Sequence, residues 1–153
     1  LGMCIKNGTL YGDYMTSYSV MAVKNNGTIY TPAQGLMGKD LLKAGVKDTY
    51  NFGPVLIQNG EAQLPWAETE KYYPRTAVGM VKPNDYILLV TDTGSYSGLN
   101  HWDMINIFTS YGCTYAYNLD GGGSATLYFN GSVMNNLIGG VERPCADFLY
   151  FTR

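Results

Sequence analysis

Residues 100–124, NHWDMINIFTSYGCTYAYNLDGGGS, join a helical pattern to an apolar strand that ends in a run of glycines. Apolar side chains recur at the spacing of a helix, which predicts a helix over about residues 100–111 with Trp102, Ile105 and Phe108 facing the core. The apolar residues that follow, up to position 120, predict a strand that enters the core. We therefore expect the helix to pack on one face of a sheet.

The predicted helix carries signals at both ends. Asn100 is a suitable N-cap, since its side chain can accept a hydrogen bond from a backbone N–H of the first turn, where Asp103 also lies. Gly112 suits the position just after the helix, where a left-handed backbone is common. His101 is the single histidine of the chain, and we expect it to be solvated at the start of the helix rather than catalytic.

Short apolar stretches separated by turn residues make up most of the remaining chain. Asn-Gly pairs are strong hairpin signals, because both residues accept the positive φ that tight turns need. Such pairs occur at residues 7–8, 26–27, 59–60 and 130–131. A proline-containing turn at residues 82–85 predicts one more hairpin.

Three further segments have a predicted place in the fold. Residues 38–45 are expected to form a short helix. Residues 86–93 are a nearly continuous apolar run, as expected of a strand buried on both faces. Residues 145–151 are expected to close the sheet as its last strand. We therefore predict an α+β fold with a mixed or antiparallel sheet, one main helix and one short helix.

The length of 153 residues fits one domain spanning residues 1–153, with enough chain to bury a core. The sequence shows no internal repeat and no low-complexity tract that would divide it. Because the chain starts at Leu1 rather than at a methionine, we expect it to be an excised or processed piece of a longer protein.

Composition excludes two classes of partner. A net charge of −2 gives no basic surface for nucleic acid, and no run approaches the roughly 18 apolar residues of a membrane span. Cys4, Cys113 and Cys145 are too few and too widely spaced for a zinc knuckle. We interpret Cys113 and Cys145 as small buried thiols, and the sequence does not specify a disulfide.

Gly121, Gly122 and Gly123 follow the predicted strand, although glycine weakens strands and needs another reason to recur there. Consecutive backbone N–H groups in a glycine turn can form a concave anion site, and Ser124 would add a hydroxyl donor. The turn lacks the lysine of a P-loop and the helix of a dinucleotide-binding motif. Two interpretations stay open: a structural turn that Asp120 caps, and a turn that binds an anion.

Five blocks of the sequence, taken in order, resemble the phosphodiester glycosidase family. They are FGPVLIQNGE (52–61), PRTAVGMV (74–81), LLVTDT (88–93), YNLDGGGSATLYFNG (117–131) and ERPCADFLYF (142–151). The motif Asn-Leu-Asp-Gly-Gly-Gly-Ser followed by a strand is the most specific of them. The resemblance implies hydrolysis of an α-glycosyl phosphodiester with an N-acetylglucosamine-like sugar. Cleavage at the anomeric carbon would release the sugar and a phosphomonoester.

The resemblance also implies roles for charged residues. Asp120 becomes the first candidate for the catalytic carboxylate. It would either take a proton from water or stabilise positive charge that develops on the sugar. Arg75 and Arg143 would neutralise the phosphate, because a guanidinium matches phosphate oxygens in a bidentate geometry. Asp92 and Glu142 are candidates for a second carboxylate. Retaining and inverting chemistry both stay open, since the sequence does not give the separation of the carboxylates.

Substrate-binding residues are expected around the same turn. Asn118 and Asp120 are two positions apart in a strand, so both side chains face the same way and Asn118 suits a sugar hydroxyl. The glycine turn and Ser124 would contact the phosphate or the sugar beside it. Asn135 is a further candidate, with capping of its own loop as the alternative.

The chain departs from the family in two respects. Members usually carry an Asn-Gly-x-Phe-Phe-like strand upstream of the segment that matches residues 1–8, so the resemblance implies that an N-terminal part of the domain is missing from this chain. Members commonly carry Asp-Gly-Arg at the end of the strand before the helix, where residues 92–94 of this chain read Asp-Thr-Gly. The missing arginine and the missing upstream strand both favour an alternative function, a non-catalytic glycan-binding or phosphoglycan-binding module of a larger extracellular protein. A purely structural sheet domain is a third interpretation, but it does not explain the family order of the motifs.

No cofactor and no metal ligands are expected. Carboxylates and asparagines could hold a divalent cation such as Ca²⁺, but no loop has the spacing of a dedicated oxygen cage. The expected partner is a small-molecule or glycan phosphodiester substrate, with attached domains upstream. The family resemblance implies an extracellular or cell-envelope location, and residues 1–153 show no signal-peptide pattern.

Overall fold

The computed structural model of the protein describes residues 2–14, 16–63, 71–92 and 98–151. The strands in chain order are β1 (Cys4–Lys6), β2 (Thr9–Gly12), β3 (Ser19–Lys24), β4 (Ile29–Tyr30), β5 (Val46–Phe52), β6 (Val55–Gln58), β7 (Glu61–Ala62), β8 (Thr76–Lys82), β9 (Asp85–Val90), β10 (Tyr115–Leu119), β11 (Tyr128–Phe129) and β12 (Ser132–Val133). The helices are α1 (Gly38–Lys43) and α2 (His101–Ser110), and 3₁₀ turns lie at Gly122–Ser124 and Ile138–Gly140. The predicted α+β fold is confirmed.

The central sheet has five strands in the order β7-β6-β10-β8-β9, and all of its pairs are antiparallel. β10 lies in the middle, and four of its five residues are buried. Its side chains alternate between two cores, as the period of a strand requires. Ala116 faces the core under α2, while Tyr115 and Tyr117 face the opposite core.

A second antiparallel sheet, in the order β4-β3-β5, covers the face of the central sheet that α2 leaves open. The core between the two sheets holds Met21 and Ile29 from the second sheet against Val78, Tyr115 and Tyr117 from the central one. The far side of the second sheet packs against α1 and the β1-β2 hairpin through a further apolar cluster. The layers therefore run from α2 through two sheets to α1.

Helix α2 begins at the predicted N-cap. Asp103 N donates to Asn100 Oδ1 at 2.8 Å, and Asn100 N donates to Asp103 Oδ2 at 3.3 Å. Phe108 is fully buried, and its ring lies so near Gly79 of β8 that a Cβ there would meet it at 2.5 Å. The absence of a side chain at Gly79 is what lets the helix approach the sheet.

The face that α2 buries differs from the predicted one. Ile105 and Phe108 face the core as expected, but Trp102 is 43% exposed and the prediction of a core tryptophan was wrong. Met104 takes the core position instead. The 102/105/108 spacing and the spacing through residues 101, 104, 105 and 108 both fit a helix, and only the contact with the sheet distinguishes them.

The predicted hairpins are confirmed at every turn for which the sequence carried a signal. Antiparallel pairs join β1 to β2, β3 to β4, β6 to β7, β8 to β9 and β11 to β12. The asparagines of three of the Asn-Gly turns have positive φ, as does Asn84 in the proline-containing turn. The short helix is also confirmed, as α1.

Three local predictions were wrong. Residues 145–151 form no strand. β9 lies at the edge of the central sheet and is only half-buried, so the apolar run at 86–93 does not mark a strand buried on both faces. Cys145 is exposed, whereas Cys113 is buried as predicted. A run of apolar residues shows that a segment has an apolar face, but the elements that pack against the segment decide how much of that face is buried.

Neither of the two described helices has the length and apolar character that crossing a membrane requires. Within the described ranges, no three His, Cys, Asp or Glu side chains come together in a way that could hold a metal ion.

Candidate active site

A cavity of about 260 Å³ lies where β10 ends. Three segments of backbone meet there: residues 52–54, which lead from the second sheet into β6, residues 73–75, which lead into β8, and residues 118–122, which leave β10. The first residue of α2, His101, completes the lining. Because β6 and β8 flank β10 on its two sides, the first two segments form opposite walls of the cavity.

Strand register brings the predicted charged residues to this end of the sheet. The pairing of β10 with β8, and of β8 with β9, continues past the strand ends, so Asp120, Arg75 and Thr91 follow one another across three strands. Thr91 N donates to Arg75 O at 2.9 Å, and Gly122 N donates to Pro74 O at 2.8 Å. Residues distant in sequence are thus held side by side by backbone hydrogen bonds.

Asp120 lines the cavity and forms an ion pair with Arg143, which is not among the lining residues. Arg143 Nη2 lies 2.7 Å from Asp120 Oδ2, and both side chains are about half-exposed. Ser124 Oγ donates to the same carboxylate oxygen at 2.8 Å and also contacts Arg143 Nη2. The other oxygen, Oδ1, accepts from Gly121 N at 2.8 Å. The carboxylate is therefore held in one orientation by its own turn.

The glycine turn is needed sterically. Gly122 has φ +57°, and a Cβ on Gly121 would meet the carbonyl oxygen of Pro74 at 2.4 Å. Its backbone N–H groups largely find acceptors within the chain: Gly122 N donates to Pro74 O and Ser124 N to Gly121 O. These bonds support the interpretation of a turn capped by Asp120, and anion binding by the turn stays a prediction.

Arg75 is buried, with only 7% of its surface exposed. Nε donates to Leu99 O at 3.1 Å, Nη2 donates to Lys71 O at 3.0 Å, and the guanidinium carbon lies 5.2 Å from the centre of the Tyr73 ring. These contacts fix the side chain within the wall of the cavity. Arg75 and Arg143 differ sharply in this respect, since Arg143 lies at the surface.

Asn118 is the most deeply buried of the predicted substrate-binding residues, at 2% exposure. Its Nδ2 donates to Gly53 O at 2.7 Å, while among the described residues its buried Oδ1 has no hydrogen-bond partner. Backbone bonds from Gly53 N to Asn118 O and from Asn118 N to Pro54 O, both 3.1 Å, tie the same two segments together. The wall at residues 52–54 is thus anchored to β10.

Tyr117 reinforces that anchor from the other side of β10. Its hydroxyl donates to Ser19 O at 2.6 Å and accepts from Phe52 N at 2.9 Å. Burial raises the pKa of Tyr117, so the phenol keeps the proton that it donates to Ser19. Strand β10 therefore fixes both the depth of the cavity and one of its walls.

His101 corrects an expectation of the sequence analysis. It is 1% exposed and lines the cavity, so the prediction of a solvated histidine was wrong. The aromatic side chains of Phe52 and Tyr73, which also line the cavity, were not predicted as site residues. A signal existed, since the FGP and PRT motifs that open two of the family blocks lie at or next to these positions.

Six of the predicted site residues are not among those that line the cavity: Gly123, Ser124 and Arg143, which lie next to Asp120, and Asp92, Asn135 and Glu142. Asp92 Oδ2 accepts from Asn136 N at 2.7 Å. Asn135 accepts from Leu127 N at 2.7 Å and donates to Ala125 O at 2.8 Å, which supports its alternative interpretation as a loop cap. Glu142 is exposed next to Arg143. Catalytic and binding roles for these residues stay predictions.

The chain is similar to known proteins in sequence and in fold. The sequence profile of the phosphodiester glycosidase family matches residues 1–152. Among curated proteins, the SPbeta prophage-derived uncharacterized protein YomE of Bacillus subtilis (strain 168) is 31% identical over 160 residues. That match covers 97% of this chain and 25% of YomE, so the chain spans a quarter of the length of this relative.

Two solved structures share the fold. The catalytic domain of zebrafish N-acetylglucosamine-1-phosphodiester α-N-acetylglucosaminidase, auto-inhibited by its pro-peptide, has a TM-score of 0.73 at 24% identity, covering 90% of this chain and 50% of that one. A hypothetical protein from Synechocystis has a TM-score of 0.56 at 17% identity, covering 84% and 32%. The family profile covers nearly the whole chain, and the chain therefore belongs to the phosphodiester glycosidase family.

Proposed function

We propose that the protein hydrolyses an α-glycosyl phosphodiester with an N-acetylglucosamine-like sugar, cleaving at the anomeric carbon to give the free sugar and a phosphomonoester. The observation that carries this proposal is the cluster of Asp120, Ser124 and Arg143, of which Asp120 lines the cavity. It sets a carboxylate and a guanidinium side by side. The proposed reaction develops positive charge on the sugar and negative charge on the phosphate, and it therefore needs one group of each charge.

Arg143 is suited to the leaving group. The departing oxygen belongs to a phosphomonoester, whose charge is already delocalised, so a cation helps more than a strong general acid. The Arg143 side chain is about half-exposed beside Asp120, where its guanidinium can form bidentate bonds to phosphate oxygens. Arg75 adds a second positive charge from within the wall.

Asp120 is suited to the anomeric centre. Gly121 N and Ser124 Oγ hold one hydrogen bond to each of its oxygens, which keeps the carboxylate oriented at the cavity mouth. From there it either takes a proton from the attacking water or stabilises the oxocarbenium-like charge of the transition state. In the ligand-free protein Arg143 balances its charge, and an anionic substrate would compete for that guanidinium.

The decisive experiment incubates the protein with UDP-N-acetylglucosamine and with a synthetic N-acetylglucosamine α-1-phosphodiester in H₂¹⁸O. We expect free sugar carrying the label, because the proposed cleavage breaks the bond to the anomeric carbon. Label in the phosphate would instead show cleavage at phosphorus and would contradict the proposal. A methyl α-glycoside of the same sugar, which lacks the phosphate, serves as the matched control and should stay intact.

The alternative function makes a different prediction in the same experiment. A non-catalytic phosphoglycan-binding module would bind the phosphodiester, as measured by calorimetry, without releasing sugar over long incubation. One sequence feature favours this outcome. Residues 92–94 read Asp-Thr-Gly, so the chain lacks the arginine of the family's Asp-Gly-Arg motif. The family also supports an extracellular or cell-envelope location, which fractionation of the producing cell would test.

A further inference from the structure

Residues 141–151, which we call the Arg143 segment, bring Arg143 to Asp120 without support from secondary structure. In the described part of the chain, none of them forms a backbone–backbone hydrogen bond, and none belongs to a helix or a strand. Two glycines with positive φ, Gly139 and Gly140, precede the segment. Because helices and strands hold their residues through backbone bonds, the Arg143 segment must be held by its side chains instead.

Alternate side chains of the Arg143 segment face the protein. Leu149 packs against the apolar core between the two sheets, and the ring of Phe151 lies 5.1 Å from that of Tyr86. Phe148 and Tyr150, at the positions between, are 76% and 67% exposed. The segment is therefore attached through one of its two faces, and the other face contributes little to holding it.

The polar contacts of the Arg143 segment are weaker anchors. The ion pair between Lys6 and Asp147 is partly exposed, as is the pair between Arg143 and Asp120, so solvent screens both. Among the described residues of the segment, Leu149 is the one whose side chain packs against a buried core. Leu149 is therefore the strongest anchor of the segment on the C-terminal side of Arg143.

We propose that Leu149 is a positioning residue for Arg143. It anchors the segment to the core between the sheets and thereby keeps the guanidinium beside Asp120, where an anionic ligand would meet both groups. The proposal rests on the proposed function in taking a glycosyl phosphodiester as that ligand. Without the Leu149 side chain, Arg143 would have to order its own segment whenever it binds a phosphate, and each ordered residue costs conformational entropy.

The first measurement needs no ligand and reads the surroundings of Arg143 directly. Phenylglyoxal modifies accessible guanidinium groups, and mass spectrometry of the peptide that contains Arg143 gives the rate at this residue. In Leu149→Ala the rate should rise about threefold, because the exposed pair with Asp120 no longer has the support of the anchor. Phe148→Ala is the matched control, since it truncates the neighbouring side chain on the exposed face, and its rate should equal that of the wild type.

The second measurement is calorimetric binding of the methyl ester of the α-C-glycosyl phosphonate of N-acetylglucosamine, an anionic probe that cannot be hydrolysed at the anomeric carbon. Leu149→Ala should weaken binding about fivefold, and Arg143→Ala about tenfold. In the Arg143→Ala background, Leu149→Ala should change binding less than about twofold, because the group that it positions is already absent. Leu149→Met, which keeps an apolar side chain of similar size, should retain wild-type affinity.

Circular dichroism shows whether Leu149→Ala folds, and Leu149→Val replaces it if it does not. The smaller truncation should give the same pattern with about half the effect on each logarithmic scale. An unchanged rate of Arg143 modification in the truncated variant would overturn the proposal. A loss of phosphonate binding that is equally large in the Arg143→Ala background would also overturn it, because Leu149 would then act on the fold as a whole.

The proposed function can fail without the positioning role. A wild-type protein that neither binds the phosphonate nor hydrolyses the phosphodiester would contradict the proposed function. Faster modification of Arg143 in Leu149→Ala, with the wild-type rate in Phe148→Ala, would still support the role of Leu149. The two failures are therefore distinguishable.

Discussion

The end of β10 and the segment after the glycine turn, residues 125–151, meet at the Asp120–Arg143 ion pair but are built in opposite ways. Asn118 and Arg75 are 2% and 7% exposed and are bonded to backbone carbonyls. Beyond the turn, the β11-β12 hairpin is short and Phe148 is 76% exposed. The cavity is part of the folded core, whereas Arg143 is carried by a surface segment.

Few of the described contacts hold residues 125–151 against the rest of the chain. The Lys6 Nζ to Asp147 Oδ2 ion pair is 2.9 Å long, and the rings of Phe151 and Tyr86 lie 5.1 Å apart. Arg143 itself is held by the glycine turn through Asp120. The walls of the cavity are thus fixed by the core, whereas Arg143 can move with little cost to the core.

Asp120→Asn should have the largest effect, because Asp120 lies where the two regions meet. The amide keeps the shape but not the charge, so kcat for a glycosyl phosphodiester should fall about 10²- to 10⁴-fold with little change in KM. Asp147→Asn neutralises another exposed, ion-paired carboxylate and should keep wild-type kinetics. Near-normal turnover by Asp120→Asn would exclude it from catalysis and favour Asp92 and Glu142.

Phe108→Ala and Phe148→Ala test the contrast in burial directly. Phe108 is fully buried between α2 and the central sheet, so its truncation should cost about 3–5 kcal/mol of unfolding free energy. Phe148→Ala should change that free energy by less than about 0.5 kcal/mol. Urea denaturation followed by circular dichroism measures both. A large loss in Phe148→Ala would show that the surface segment packs more firmly than its exposure indicates.

Arg143→Ala should damage binding and catalysis together. The phosphodiester is anionic before the reaction and its leaving group is more so afterwards, so kcat/KM should fall about 10- to 100-fold. Stability should change little, because the pair with Asp120 is half-exposed and solvent screens it. Steady-state assays with leaving groups of different acidity provide the readout. An equal loss for every leaving group would contradict a role of Arg143 at the departing phosphate.

The buried tyrosines of β10 should make stability depend on pH at the alkaline end. Burial raises the pKa of Tyr115 and of Tyr117, so above about pH 10 the unfolded chain loses these protons before the folded chain does. Unfolding free energy should therefore fall as pH rises beyond 10, by up to about 1.4 kcal/mol per pH unit for each tyrosine. Denaturation at pH 8 to 11 measures it.

Tyr115→Phe should lessen this dependence, while Tyr128→Phe, on the exposed β11-β12 hairpin, serves as the control. An unchanged slope in Tyr115→Phe would show that other groups cause the alkaline loss.

Local signals were sufficient for much of the fold. The Asn-Gly pairs, the Asn100 cap and Gly112 after the helix each act through a few neighbouring residues, and the structure confirms each of them. The burial of individual apolar side chains was harder to predict. Trp102, Cys145 and the 86–93 run were all assigned too much burial, because whether an apolar side chain is covered depends on elements far away in the sequence.

Some residues of the candidate site could be predicted from the sequence, and others only from the strand order. Asp120 and the glycines after it are adjacent in sequence, and the motif alone indicated a special turn. His101, Phe52 and Tyr73 could not be joined to it without the strand order, since β6 and β8 reach β10 only through sheet pairing.

By itself the sequence determined the hairpins, the helix α2, the position of the glycine turn and membership of the family, because each depends on local conformational preference or on an ordered set of motifs. Only the tertiary structure decided that Arg75 is buried while Arg143 is exposed, and that Asn118 is buried with its Nδ2 bonded to Gly53 O. The physical reason is that burial and the pairing of polar groups are properties of the assembled layers, and no single segment contains them.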